Sequence, residues 1–105
     1  MEFQEAYIEA EKDEMKLLLE FMFQLTIFGR EIHMDLVGEK QSSATKQLNE
    51  INHRVLNRLR DISSESSWSD RSYVIDTVST HISNAPFIKS RVDYCASKAL
   101  SKLSA

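Results

Sequence analysis

Met15-Lys16-Leu17-Leu18-Leu19-Glu20-Phe21-Met22-Phe23-Gln24-Leu25-Thr26-Ile27-Phe28-Gly29-Arg30-Glu31-Ile32-His33-Met34-Asp35-Leu36 is the stretch whose reading decides the fold. It lacks proline and is rich in strong helix formers, so it reads as helix. Its apolar residues recur at steps of three and four, but in more than one row. Leu18, Met22, Leu25, Gly29, Ile32 and Leu36 form one stripe. Leu17, Phe21 and Phe28 form a second, and Phe23, Ile27 and Met34 a third. An ordinary surface helix buries a single stripe and turns charge to the other side. Three stripes need three covers, so this helix is either central in its own domain or shared with a second chain.

The helical composition extends outward in both directions. Acidic residues crowd the stretch from Glu2 to Glu14, where they complement a helix dipole, and Gly38 stands where a left-handed C-cap would end the helix. The spacing predicts a first helix over residues 3–37, ~50 Å long at about 1.5 Å per residue. Gly29 costs on the order of 1 kcal/mol in a helix interior, so it marks either a kink or a close approach by a neighbour.

Ser42 and Ser43 suit an N-cap, after which Ala44, Leu48, Ile51, Val55, Leu59 and Ile62 repeat on one face, predicting a second helix over 43–62. The serine run from Ser63 to Ser67 reads as a loop. Trp68, Ser69 and Asp70 can staple and cap a third helix over 69–84, with Val74, Ile75, Val78, Ile82 and Ala85 inward. Pro86 ends it and opens a fourth over 86–103, with Ile88, Val92, Cys95, Ala96, Ala99, Leu100 and Leu103 on one side.

Glycine and proline total three residues, Gly29, Gly38 and Pro86, too few for the many turns of a sandwich or barrel. With 42% hydrophobic and 28% charged residues over 105 positions, the chain can bury a core and stay dissolved. The expected fold is all-α: a single domain over residues 1–105, an antiparallel bundle of about four helices with a long first helix. The most apolar window, Leu17 to Phe28, is broken by Glu20 and Gln24 and falls short of the roughly 20 residues that span a bilayer. No membrane association is expected. Met1-Glu2-Phe3-Gln4-Glu5 lacks the pattern of an export signal, and Cys95 alone cannot form an intrachain disulfide, so a cytoplasmic location is expected.

Charge is unevenly spread. Net charge is −3, yet residues 1–20 hold seven acids against Lys12 and Lys16, while residues 40–60 hold five bases against Glu50. From His81 onward Lys89, Arg91, Lys98 and Lys102 face one acid, Asp93. Acidic and basic helices lying side by side account for this simply. A basic face meeting nucleic acid is the alternative, carried by Lys46, Arg54, Asn57, Arg58 and Arg60 on the second helix together with the C-terminal segment.

No constellation argues for catalysis. Glu50-Ile51-Asn52-His53 has the Glu-x-x-His spacing of carboxylate-bridged metal bundles, but only one copy exists, and it points away from the apolar stripe. His33, His53 and His81 fall on different helices with no zinc-ligand spacing. Cys95 sits on an apolar face, where a thiol is inert. Thr77 to Asn84 is similar to the recognition helix of LuxR-type helix-turn-helix regulators. That family places a short helix and a glycine- or alanine-containing turn just before it, whereas Arg71 to Asp76 reads as continuous helix, so no DNA contact is carried over.

The expected function is therefore a non-catalytic protein–protein interaction module: an adaptor, inhibitor, immunity-type or chaperone-like small regulator using apolar and acidic helix faces. The candidate interface is Leu17, Phe21, Phe23, Ile27, Phe28 and Met34, and the expected partner is another protein chain, a second copy forming a homodimer. No catalytic residue, metal or cofactor is expected.

Overall fold

Four acids within six residues, Glu9, Glu11, Asp13 and Glu14, set the first bend in the chain. Like charges at i,i+3 and i,i+4 destabilise an α-helix, and here it gives way to a tighter turn. In the computed structural model, which describes residues 1–65 and 68–104, α1 runs Phe3–Glu9, a 3₁₀ turn covers Glu11–Asp13, and α2 runs Glu14–Asp35. The bend re-aims α1 so that it packs on α5 and, over a smaller area, on α4. The expected unbroken helix over 3–37 is thus corrected: the interruption lies at 10–13 and not at Gly29.

Gly29 sits inside α2 without a break. A Cβ built there would meet Leu48 Cδ2 at 3.6 Å, an ordinary contact. Gly29→Ala is therefore expected to raise stability by about 0.5–1 kcal/mol, read as a higher urea midpoint at unchanged slope. A lower midpoint would mean that the α2–α3 approach needs the missing methyl.

α3 spans Gly38–Ser63, α4 Arg71–Asn84 and α5 Lys89–Leu103, with a 3₁₀ turn at Pro86–Ile88 before α5. α3 starts earlier than the serines suggest, so Ser42 and Ser43 lie inside it and are not caps. Gly38 adopts φ +65°, a left-handed conformation that reverses the chain within the two residues Leu36 and Val37. Gln41 Nε2 then donates to the carbonyls of Leu36 at 2.8 Å and His33 at 3.3 Å, serving acceptors that the end of α2 leaves open. Asp70 caps α4 as expected, accepting from the Tyr73 backbone N–H at 2.9 Å. The Trp68 side chain, expected as a staple, stands 92% exposed. The expected loop over Ser63 to Ser67 falls partly outside the described residues; of it, Ser63 ends α3 while Ser64 and Glu65 form a turn.

The result is an all-α bundle of four arms, α1 with α2, then α3, α4 and α5. The first arm covers 33 residues. α2 packs against both α3 and α5, α3 also packs against α4, and α1 closes over α5. Among the described residues, no helix is long and apolar enough to cross a membrane.

A candidate docking surface on α2

Two of the three apolar stripes on α2 are covered by the chain itself. Leu18, Leu25 and Ile32 of the first are buried, with Met22 and Leu36 partly so. Leu17, Phe21 and Phe28 of the second are also buried, at 0%, 0% and 6% exposure. This corrects half of the expected interface: Leu17, Phe21 and Phe28 belong to the core. The cover comes from α5 together with α1, whose Phe3 ring lies 4.8 Å from that of Phe21. The bend at 10–13 brings α1 into position, and nothing in the local pattern of α2 announces it.

The third stripe is left to solvent. Phe23 is 55% exposed, Ile27 36% and Met34 82%, and Leu19 at 55% and Met15 at 37% extend the row toward the N-terminus of α2. Met15 and Leu19 were outside the expected interface, although the four-residue ladder Met15, Leu19, Phe23, Ile27 is plain in the sequence once the core stripes are removed. At about 100° per residue, these five side chains fall within roughly 120° of the helix circumference. The same arc holds Lys16, Thr26, Arg30 and His33, all exposed. It holds no acid.

The four acids of α2 all lie off this arc. Glu14 binds Arg58 and Arg71, Glu20 approaches Lys102 at 3.9 Å, and Glu31 pairs with Arg91. Asp35, at the last position, lines a cleft with Phe28 and Arg91. Lys16 and Arg30 enter no ion pair among the described residues. The exposed face is thus apolar and cationic, in a chain whose net charge is −3. Isolated exposed hydrophobics are normal on any protein; four in a row at four-residue spacing on one helix, with Met34 beyond them, is the informative pattern.

Both borders of the face are shaped. Toward α3, Met15, Leu19, Leu56 and Leu59 line a groove of about 450 Å³ with Arg60 at its lip. Toward α5, Lys102 Nζ stands 5.6 Å from the centre of the Phe23 ring. The groove holds no acidic residue either.

The other candidate residues are dispersed. Of the basic set on α3, Lys46, Arg54 and Arg60 are exposed and Asn57 is half-buried. Arg58 is withdrawn: its Nε donates to Glu14 Oε2 at 2.8 Å and its Nη2 to Oε1 at 3.0 Å, while Nη1 donates to the Ser69 carbonyl at 2.7 Å. Glu14 also accepts from the Tyr7 hydroxyl, and Arg71 stacks on the Tyr7 ring at 4.1 Å. Burial pushes the Glu14 carboxyl up, but the hydrogen bonds from Arg58 and Tyr7 and the two guanidinium charges outweigh it and hold it below the usual carboxylate range. Burial first, then the bond to Glu14, pushes the Tyr7 hydroxyl up, so it stays protonated as a donor. Residues from α1, α2, α3 and α4 meet in this cluster, which ties four helices together.

His81 Nδ1 lies 2.7 Å from Gln47 Oε1, joining α4 to α3, whereas His33 and His53 are exposed. Burial pushes the Cys95 thiol up to about 11, which keeps it unreactive at neutral pH. Among the described residues no three or more His, Cys, Asp or Glu side chains converge on a point that could hold a metal. Thr77 to Asn84 forms the second half of the continuous helix α4. Compared with known protein families, curated proteins and solved structures, the chain matches none.

Proposed function

We propose that this chain is a non-catalytic protein–protein interaction module, a small regulator or adaptor that docks through the solvent face of α2. One observation carries the reading: Met15, Leu19, Phe23 and Ile27 form an exposed apolar row at four-residue spacing, with Met34 two turns further on, on a helix whose opposite stripes are packed into the core. Leu19, Phe23 and Met34 leave more than half of their surface in water, where a polar residue would keep the chain more soluble. We further propose a cytoplasmic setting, supported by a single cysteine that is buried and unpaired.

The test is affinity capture from the native cell with the wild-type chain and with a Leu19→Asp/Phe23→Asp variant of matched helicity by circular dichroism. The wild type is expected to retain a partner that the variant loses. Equal capture by both would overturn the reading.

Nucleic-acid binding through α3 is the weaker proposal. It draws on the exposed Lys46, Arg54 and Arg60, but the withdrawal of Arg58 leaves three separated cations where phosphate tracking uses a continuous set.

A further inference from the structure

We infer that the occupant of the α2 face is an acidic amphipathic helix of another protein, seated along the groove between α2 and α3. This rests on the docking reading above and adds the chemistry of the partner. Three features point to it. The face and its groove bring apolar side chains together with Lys16, Arg30 and Arg60, and no acid stands among them. An approaching helix with an apolar stripe and glutamate or aspartate flanks satisfies both parts at once.

Met15, Leu19, Leu56 and Leu59 line a shallow, open groove of about 450 Å³, room for more than one apolar side chain. A helix inserts a leucine or phenylalanine there and runs on along Phe23 and Ile27 at its own three- and four-residue spacing.

A second copy of this chain meets like charge. Lys16 and Arg30 each lie seven residues from Phe23, so an antiparallel two-fold pairing centred on Phe23 sets Lys16 of one copy against Arg30 of the other. A parallel two-fold pairing sets each cation against itself. Of the four acids of α2, Glu14, Glu20 and Glu31 already face cations of their own fold, and Asp35 lies off the exposed arc at the last position of the helix.

The test uses the full chain and a labelled synthetic peptide of about five helical turns, with leucine at its a and d positions and glutamate at e and g. A counterpart carries lysine in place of glutamate. Fluorescence anisotropy is expected to give saturable binding of the acidic peptide, weakening as salt rises, and none of the lysine peptide. Lys16→Glu/Arg30→Glu is expected to weaken the acidic peptide by about tenfold or more and to gain binding of the lysine peptide, a reversal that a misfolded variant cannot produce. Leu19→Asp should abolish binding of the acidic peptide.

Equal binding of the two peptides, or no change in the charge-reversed variant, would overturn the inference. So would sedimentation of the chain with phosphatidylserine-containing vesicles in the absence of peptide binding. A dimer in light scattering that Leu19→Asp disperses would overturn the partner's chemistry and leave the docking reading standing. No peptide binding, no vesicle binding and no self-association would end the inference, while the docking reading is decided by the capture experiment above.

Discussion

Truncation of Phe21 to alanine is expected to cost about 3–5 kcal/mol, while the same change two residues away at Phe23 costs under about 0.5 kcal/mol. Phe21 is fully buried at the junction of α1, α2 and α5, with the Phe3 ring 4.8 Å away and tilted 42°. Removing the ring leaves a cavity that neighbours on three helices can close only in part. Since single domains are held by about 5–15 kcal/mol, the variant should lose a large share of its stability and melt at least roughly 15 °C lower. Phe23 is more than half exposed, and its recorded ring contact is with Lys102, so its loss opens no cavity. Urea denaturation of the two variants checks the contrast. Equal losses would show that α2 does not divide into a packed side and a free one.

Glu14→Gln is the second large effect, expected at about 2–3 kcal/mol near neutral pH. The Glu14 side chain is 13% exposed and that of Arg58 15%, so the amide leaves a mostly buried guanidinium without its counter-charge. Arg71, at 30%, loses the same partner and retains its bond to the Tyr7 carbonyl. The residual exposure keeps the expected cost below that of breaking a fully enclosed pair, about 3–5 kcal/mol.

The direction with pH follows from the depressed Glu14 carboxyl. Its contribution is fully present above the range where a glutamate in the unfolded chain titrates, about 4.3, and is lost as pH falls through the lower value of the folded state. Wild type and Glu14→Gln should therefore differ most at neutral pH and converge in acid. Urea midpoints at neutral and strongly acidic pH check this, and a gap that stays constant would show that charge at Glu14 is not what holds the cluster.

Much of the fold can be read from the residues because it depends on local rules. The apolar face of α3 follows its period closely: Ala44, Leu48, Ile51, Val55 and Leu59 are all buried. Gly38, Asp70 and Pro86 mark corners for reasons within a few residues of themselves. What escapes such reading depends on partners far away in sequence. The stripe of Leu17, Phe21 and Phe28 resembles an interface until α1 folds back over it. Arg58 resembles a phosphate-binding cation until Glu14, 44 residues earlier, claims it. The exposed row of α2 is obscured in the opposite way: Leu19 and Met15 are hidden in the sequence by the abundance of hydrophobic residues around them, and subtracting the core reveals them.

The two-residue corner between α2 and α3 has a kinetic consequence. Helices joined so closely form their hairpin through contacts near in sequence, at little cost in loop closure. α1 meets α5 only across nearly the whole chain, as in the Phe3 N–H bond to Asp93, a separation of 90 residues. α1 precedes α5 in the chain, so this part of its docking has to wait until residues 89–103 have been made. Until then the apolar surface of α1 and α2 that α5 covers remains wet, and the nascent chain exposes more greasy surface than the finished protein does.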